Sequence, residues 1–516
     1  MMHSTLEDLV RELTTLSSLD ESRRAEWHHC ALRAHLGTFE VEQLLDSLSS
    51  LSQSQPPTAA DEAAWIALLE SACRALERHE PGRLRPQSVA RMGAMYRRLA
   101  DRGRISRQLL RLLAIDAARD SLVMFAELLA DSPPVEAQDV LVAFAPLFQR
   151  RSSDYAALFP RLLDGLEHPT VATAVLDLSN FLARAGLVPR HPAAPRVRQL
   201  AELLGGLSTR LARVEEHPDQ FADSRQALES LVSESVALIV ALCDALAGIG
   251  EKWVTGKLYQ ALELSHRRVR TEAAAALARL GDPKGIETLV AMAAEPVVRS
   301  RALAYLDELG LLERAPEQCR TSEARAIGDL AAWLAEPTQF GLPPQSIEVF
   351  DHCRQHWPGY SAPVDCYLVR YEYRLPAGQL WGIALAGPGT SAVLADLADL
   401  PPADIYAVYA GRDTEHAEIT ETAAADLAER ERVSWEQVRS RLEVEGFSDL
   451  ELIKLGRFFG EEHWIANARH GERRGVMIHD GRQTEWHPHV PGKRPLGSTE
   501  FYQLHKGRKL LRAFNP

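Results

Sequence analysis

The feature that most constrains the fold is a repeat in the middle of the chain. Residues 265–310 read SHRRVRTEAAAALARLGDPKGIETLVAMAAEPVVRSRALAYLDELG, and the pair Val269-Arg270 recurs 29 residues later as Val298-Arg299. The same spacing separates four more pairs of identical residues: Ala273 and Ala302, Leu277 and Leu306, Leu280 and Leu309, and Gly281 and Gly310. Within each copy the apolar positions lie on one face of a helix. Each copy therefore predicts a helix that must bury this face against another helix.

Turn residues divide the repeat into pairs of helices. Gly281 and Gly310 follow the last apolar position of each copy, where a left-handed residue commonly ends a helix. Asp282-Pro283 starts a second helix, expected from Ile286 to Ala294, and Glu295-Pro296 ends it. A helix pair of about 30 residues that buries its apolar face only against its neighbour is the unit of an α-solenoid.

The unit VRTEAAAALARLGDPKGIETLV resembles a HEAT repeat of the short bacterial kind, which also occurs in phycobilin-lyase-like HEAT proteins. The turn 281–283, the two VR pairs and the Ala/Leu ladder carry the likeness. It is strongest over about residues 245–310, and weaker copies such as HPTVATAVLDLSNFLARAG (168–186) extend it to about 160–310. Glu251, Ser265 and Glu295 depart from the Asp that HEAT repeats often have near the turn. The resemblance implies an ARM-type α-solenoid that binds other proteins.

The composition changes at FGLPPQ (340–345), after about 330 residues of helical periodicity. Beyond it, alternating apolar and polar residues predict strands at 346–353, 364–375, 379–387, 463–469 and 475–486. Helices are predicted at about 391–410, at about 423–459 with a break near Gly446, and at 501–514. We therefore predict a multidomain chain: an all-α, HEAT-like helical repeat domain at 1–340, divergent over 1–160, and a smaller α+β domain with an antiparallel sheet at 345–516.

Charge and cysteine content narrow the classes of function. The chain has 516 residues and a formal net charge of −13, which does not favour nucleic acid as an obligatory partner. Its six cysteines are scattered and none is part of a CxxC motif, as is typical of proteins from a reducing compartment. The first residues lack the pattern of a signal peptide, and the apolar run 236–243 is shorter than the about 20 residues of a membrane span. We expect a cytoplasmic protein with no membrane span.

Arginines supply the candidate partner-binding residues. The segment 83–111 has nine arginines and one acid, Asp101. This pattern is typical of a solvated face that is paired with neighbouring acidic helices, and an anionic partner such as nucleic acid is the less favoured alternative. In the repeat, arginines recur near each VR pair, either as a ladder toward a partner or, as we favour, in bonds to neighbouring turns. The candidates from both regions are Arg97, Arg98, Arg104, Arg268, Arg270, Arg299 and Arg301.

Motifs for catalysis or cofactor binding are absent from the sequence. His352, Cys353, His356 and Cys366 cluster in sequence, but their spacing matches no common zinc site. Cys353 and Cys366 come close if the first two strands pair across WPGYSAP (357–363). GPGT (387–390), between a strand and a predicted helix, reads as a turn and N-cap, with an anion site as the alternative. We expect no metal and no cofactor.

These observations favour a non-enzymatic scaffold or adaptor whose solenoid surface binds another protein. One alternative is an enzyme or small-ligand sensor with its site in residues 345–516, for example where His352, Cys353 and His487 converge. A second alternative is the binding of an anionic partner by the arginines of 83–111.

Overall fold

The computed structural model describes residues 6–13, 21–34, 36–54, 57–58, 61–78, 84–100, 102–149, 152, 154–376, 378–392, 397–412, 416–489 and 496–515. The chain folds into two compact units, Met1–Ile286 and Glu287–Pro516. The domain boundary that the sequence predicts at residues 340–345 stays a prediction.

The first unit is helical throughout its described residues. Its helices are α1 (Leu6–Leu13), α2 (Glu21–Arg33), α3 (Thr38–Ser54), α4 (Glu62–Glu77), α5 (Pro86–Arg98), α6 (Gly103–Asp116), α7 (Arg119–Asp131), α8 (Ala137–Gln149), α9 (Pro169–Arg184), α10 (Val197–Glu216), α11 (Arg225–Ile249), α12 (Thr255–Leu262), α13 (Arg267–Arg279) and the start of α14 (Pro283–Met292). Short 3-10 helices lie at Tyr155–Leu158, Arg161–Glu167, Ala194–Arg196, Pro218–Gln220 and Lys252–Val254.

These helices form the two rows of an α-solenoid. In one row α1 packs on α3, α3 on α5 and α5 on α7, and α10 packs on α12. The other row runs through α2, α4, α6, α8, α9, α11 and α13. A continuous apolar core lies between the rows, from Leu9 to Leu277. The predicted all-α solenoid is therefore confirmed.

The left-handed glycines that the sequence predicts at the helix ends are confirmed, whereas the helix predicted from Ile286 to Ala294 extends from Pro283 to Met292. Gly281 and Gly310 have φ values of +83° and +67°, in the left-handed region. The backbone N–H of Asp282 donates to the carbonyl of Leu277, which closes the end of α13. Its carboxylate also accepts hydrogen bonds from the Lys284 backbone N–H at 2.9 Å and from the Tyr259 hydroxyl at 2.7 Å. Asp282 thus joins two successive helix pairs.

The helix α11 is the one helix of the described residues that is long and apolar enough to cross a membrane by length and composition. Half of its most apolar stretch is buried within the protein, and the helix packs against α9, α10 and α13. The eight-residue run 236–243 lies inside it. A core helix of a folded domain is buried in the same way.

The second unit combines helices with two antiparallel sheets. Its remaining helices are α15 (Pro296–Glu308), α16 (Glu317–Arg320), α17 (Ser322–Leu334), α18 (Pro402–Arg412), α19 (Glu429–Val444) and α20 (Ser498–Phe514). The first sheet has the order β1 (Ser346–Gln355), β2 (Val364–Leu375), β3 (Gly378–Ala386) and β4 (Ser391–Ala392). The second has the order β5 (Ile419–Ala423), β6 (Phe447–Phe458), β7 (Glu461–His470), β8 (Arg473–His479) and β9 (Thr484–Pro488).

The predicted α+β class is confirmed, and three details are corrected. The strands lie in two sheets where the sequence predicted one. Residues 447–458, predicted as helix, form β6, and residues 391–392, predicted to begin a helix, form β4. Two β-bulges interrupt the alternation of β6, at Ser448/Glu451 and Leu452/Lys454, so its apolar residues are spaced irregularly. This irregular spacing concealed the strand.

Within the second unit, residues 322–514 contain the same order of elements twice, apart from the additional strand β5 of the second sheet. The order helix, four antiparallel strands, helix occurs first as α17, β1–β4 and α18, and again as α19, β6–β9 and α20. The sequence IYAVYAGR (405–412) of α18 matches FYQLHKGR (501–508) of α20. β1 has a bulge between Val349 and Asp351, and β6 has one between Leu452 and Lys454. When these two bulges are aligned, the strand registers of the two sheets match. We call the two copies the first half and the second half.

Each half covers one face of its sheet with its own first helix. Leu330 and Leu334 of α17 pack on Tyr367 and Tyr371 in the first half. Trp435 and Leu442 of α19 pack on Trp464 in the second. The other faces share one core with α18 and α20, built from equivalent pairs: Leu368 and Ile465, Leu385 and Ile478, and Tyr406 and Tyr502.

Two equivalent glycines allow α18 and α20 to cross at backbone contact. A Cβ atom on Gly411 would lie 1.9 Å from the carbonyl oxygen of Gln503, and one on Gly507 would lie 1.7 Å from that of Ala407. Gln503 and Ala407 are themselves equivalent in the match of the two helices. The crossing is therefore symmetric, and it requires glycine in both helices.

Candidate functional site

Two cysteines lie opposite each other on neighbouring strands of the first half. Cys353 of β1 pairs with Cys366 of β2 in the antiparallel register, as the sequence predicted. Both side chains belong to the core shared with α18 and α20. Cys366 is fully buried, whereas Cys353 is half-buried. The two thiols therefore have unequal access to solvent.

A groove opens in front of Cys353. Its volume is about 550 Å³, and Asp351, Cys353, Tyr406, Arg508 and Asn515 contribute to its walls. The end of α20 is attached to the loop after β1, because Asn515 accepts a hydrogen bond from the His356 backbone N–H at 2.7 Å and donates to its carbonyl at 2.9 Å. The groove thus has defined walls on three elements, β1, α18 and α20.

Neighbouring polar groups favour the anionic form of Cys353. The Cys366 thiol opposite it is the main cause that lowers the Cys353 pKa to about 7, and the nearby Tyr406 hydroxyl adds to it against the opposing effect of burial. The Tyr406 hydroxyl also lies 3.1 Å from the Cys366 carbonyl oxygen, to which it donates. The neighbouring Cys353 thiol and burial raise the pKa of Cys366, whose thiol donates to the Val364 carbonyl at 3.7 Å. The two thiols together therefore lose one proton readily and keep the other. Cys353 is the thiol that is deprotonated and nucleophilic.

The second half has a buried histidine network at the equivalent place. The shared register makes His463 of β7 equivalent to Cys366. The Nδ1 atom of His463 lies 3.2 Å from Nε2 of His505, whose Nδ1 lies 3.1 Å from Glu485. Burial lowers the pKa of His463 to about 4, and the His505 hydrogen bond lowers the pKa of Glu485. His463 is therefore neutral in the folded protein.

Arg508 connects this network to the first half. Its guanidinium forms two hydrogen bonds of 2.8 Å with the Asp404 carboxylate and also contacts Glu485. The fork geometry of arginine suits such a bidentate pair. Because each of its charges has an opposite neighbour, this network stabilises the packing of α18 and α20.

A second groove lies on the solenoid, between α10 and the turn before α12. Its volume is about 510 Å³, and Arg198, Ala201, Glu202, Trp253 and Lys257 line it. Trp253 keeps 53% of its surface exposed there, although tryptophan is among the residues most often covered in folded proteins. An exposed indole in a groove that two cations also line is suited to a partner side chain.

The arginines of 83–111 are largely paired with acidic residues of neighbouring helices. Arg107 lies 3.1 Å from Asp139 and Arg111 lies 2.7 Å from Glu77. Further pairs join Arg85 to Glu42 and Arg91 to Asp46. Of the three candidates, Arg97 lies 4.0 Å from Glu127, Arg98 donates to the Ser52 hydroxyl at 2.7 Å, and Arg104 is exposed. Arg83 and Asp101 lie outside the described residues.

Of the repeat arginines, Arg299 is bonded to backbone. It donates to the carbonyls of Ala293 at 3.0 Å, Ala294 at 3.1 Å and Ala324 at 2.8 Å, which ties the turn before α15 to α17. Arg270 is half-buried, whereas Arg268 and Arg301 are exposed. A role of any of these arginines in binding a partner stays a prediction.

The candidate residues of the C-terminal region do not converge. His352 stacks on Tyr367 at 4.6 Å and lies 3.2 Å from Asp365, on the face of β1 opposite to that of Cys353. His487 stacks on Phe501 at 4.9 Å in the second half. GPGT is followed by β4, so it lies at no helix N-terminus. Among the described residues, no group of three His, Cys, Asp or Glu side chains is placed to hold a metal ion.

Comparison with known proteins identifies one region. The family model for HEAT repeats matches residues 224–307, which include the repeat at 265–310 almost entirely. A search of the curated proteins finds no match to the chain. HEAT repeats generally mediate protein interactions, and the matched segment contains Trp253 and Lys257 of the second groove.

Proposed function

We propose that the protein is a non-enzymatic, cytoplasmic scaffold whose solenoid binds another protein through the groove at Trp253. The observation that carries the proposal is the exposed Trp253 indole in a groove of about 510 Å³. Part of this groove lies within the HEAT repeats that the family model matches.

The charges of the groove indicate the chemistry of the partner segment. Arg198 and Lys257 contribute two positive charges against the single negative charge of Glu202. The Nζ, Cε and Cδ atoms of Lys257 all lie against Gly205, so the end of this side chain is positioned on α10. A segment with one apolar side chain for Trp253 and a neighbouring carboxylate for the cations fits these features.

The proposal is tested by selecting peptides from a displayed library on the full-length protein. We expect enriched peptides to combine an apolar residue with Asp or Glu, and Trp253→Ala to weaken their binding by at least about ten-fold, as for an interface hot spot. Lys257→Glu should weaken the acidic peptides more than neutral ones.

The chain offers a matched control. Trp381 of β3 is 44% exposed, so Trp381→Ala removes a similarly accessible tryptophan elsewhere and should leave binding unchanged. Selected peptides that bind Trp253→Ala and wild type with equal affinity would contradict the proposal.

The two alternative functions make separate predictions. An anionic partner at Arg97, Arg98 and Arg104 requires binding that weakens steeply with salt. A small-ligand sensor in the C-terminal region would bind its ligand in the groove at Cys353, which Tyr406 and Arg508 also line.

A further inference from the structure

The two cysteines of the first half, Cys353 and Cys366, are not part of the Trp253 groove. All six cysteines are free thiols, and Cys353 and Cys366 are the two that face each other across a strand pair. Residues directly opposite in an antiparallel pair have Cα atoms about 4.5–5.5 Å apart. This spacing falls within the range of about 4.4–6.8 Å that a disulfide spans.

Access distinguishes the two thiols. Cys353 lines the groove of about 550 Å³, whereas Cys366 is fully buried behind it. A small oxidant therefore reaches Cys353 first. Cys366 faces Cys353 directly across the strand pair and packs in the same core, where it can attack an oxidised Cys353 without a large rearrangement.

We propose that Cys353 and Cys366 form a reversible thiol–disulfide couple, with Cys353 as the thiol that reacts with hydroperoxides and Cys366 as the resolving thiol.

The reaction balances in two steps. The Cys353 thiolate attacks the terminal oxygen of the hydroperoxide, the O–O bond breaks, and the leaving oxygen takes a proton to give water or an alcohol. The Cys366 sulfur then attacks the sulfenic acid of Cys353, the S–S bond forms, and the hydroxyl leaves as water with the Cys366 proton. Together, two thiols and one hydroperoxide give a disulfide, one water and one alcohol or second water. A low-molecular-weight dithiol reverses the change.

The surroundings of Cys353 suit this role. The neighbouring Cys366 thiol and Tyr406 hydroxyl favour the thiolate by lowering the Cys353 pKa, while Asp351 opposes it and His352 favours it through their charges. Tyr406 is a positioning residue, since it also bonds the Cys366 carbonyl. By contrast, burial raises the pKa of the Cys73 and Cys243 thiols, Cys73 to about 12. These two cysteines serve as internal references of low reactivity.

The test exposes the full-length protein to a small molar excess of hydrogen peroxide, blocks the remaining thiols, and maps the cysteines by mass spectrometry. We expect the Cys353–Cys366 disulfide to form at least about ten-fold faster than any oxidation of Cys73 or Cys243, and dithiothreitol to remove it. In Cys366→Ser, Cys353 should accumulate a sulfenic acid that dimedone traps.

Control variants make the result decisive. Cys319→Ser removes a buried cysteine elsewhere in the same unit and should leave the disulfide unchanged. In Cys353→Ser, Cys366 should stay reduced. Circular dichroism of each variant shows that it is folded. The proposal is overturned if a folded wild type oxidises Cys353 no faster than Cys73, or if Cys353 pairs mainly with a cysteine other than Cys366.

Discussion

The two halves have the same order of helices and strands, apart from β5, and different chemistry. In the first half, Cys353 and Cys366 face each other beside Tyr406 and an open groove. In the second, the equivalents of Cys366 and Tyr406 are His463 and Tyr502, and a closed network of charges and hydrogen bonds occupies the site. The two halves thus share the glycines that the helix crossing requires, while their buried polar residues differ. Mutations of the shared glycines should therefore destabilise both halves equally, and mutations of the differing residues should not.

The largest effect is expected at the helix crossing. Gly411→Ala and Gly507→Ala each place a Cβ atom within 2 Å of a carbonyl oxygen, so α18 and α20 must separate. We expect each to lower the free energy of unfolding by roughly 4 kcal/mol or more, measured by chemical denaturation. A Cβ on Gly389 meets nothing within 4 Å, so Gly389→Ala is the control. A large loss at one glycine alone would disprove the symmetry of the crossing.

Acid should destabilise the second half. The pKa of His463 is about 4 in the folded protein and about 6.5 when unfolded, so the unfolded state binds the proton first. The neutral His463 therefore contributes its full stabilisation above pH 6.5. This contribution to the free energy of unfolding, on the order of 3 kcal/mol, is lost as the pH falls toward 4. The lowered pKa of Glu485 causes a further loss below about pH 4.5, the ordinary pKa of a glutamate.

Unfolding free energies measured from pH 7.5 to 4 check this dependence. His463→Leu removes one titrating group and should reduce the slope between pH 6.5 and 4.5, while the slope that remains includes the contribution of His191, whose pKa burial also lowers to about 4. A variant that keeps the slope of the wild type would show that other groups cause it.

A smaller difference is expected between two equivalent arginines. Arg508 bridges Asp404 and Glu485, whereas Arg412 donates to the Ala392 carbonyl. Because Arg508 is partly exposed, Arg508→Met should cost only about 1–2 kcal/mol, and Arg412→Met less than about 1 kcal/mol. Chemical denaturation measures both. Equal costs would mean that the bridge adds no stability.

The sequence predicted the features that depend on local periodicity. The helices, the left-handed Gly281 and Gly310, the pairing of β1 with β2 and the helix at 498–514 all follow from residue spacing and turn residues. The β6 strand was missed because its bulges disturb the alternation. The duplication was missed because IYAVYAGR and FYQLHKGR share only Tyr, Gly and Arg, a match that the common register makes significant.

The sites were harder to predict than the fold. His352 and Cys353 are adjacent in sequence but point to opposite faces of a strand, so sequence clustering did not imply a common site. Trp253 lies in a short 3-10 helix. A segment this short has no periodic pattern from which its burial could be predicted. Its exposure and the groove beside it depend on how α10 and α12 pack.

The most direct test of the contrast between the halves is the rate at which iodoacetamide alkylates each cysteine of the native protein between pH 6 and 9. We predict that Cys353 reacts with a midpoint near pH 7, that Tyr406→Phe moves this midpoint upward, and that Cys73 and Cys243 remain protected. A Cys353 that reacts only above about pH 8.5, like an ordinary thiol, would contradict the account.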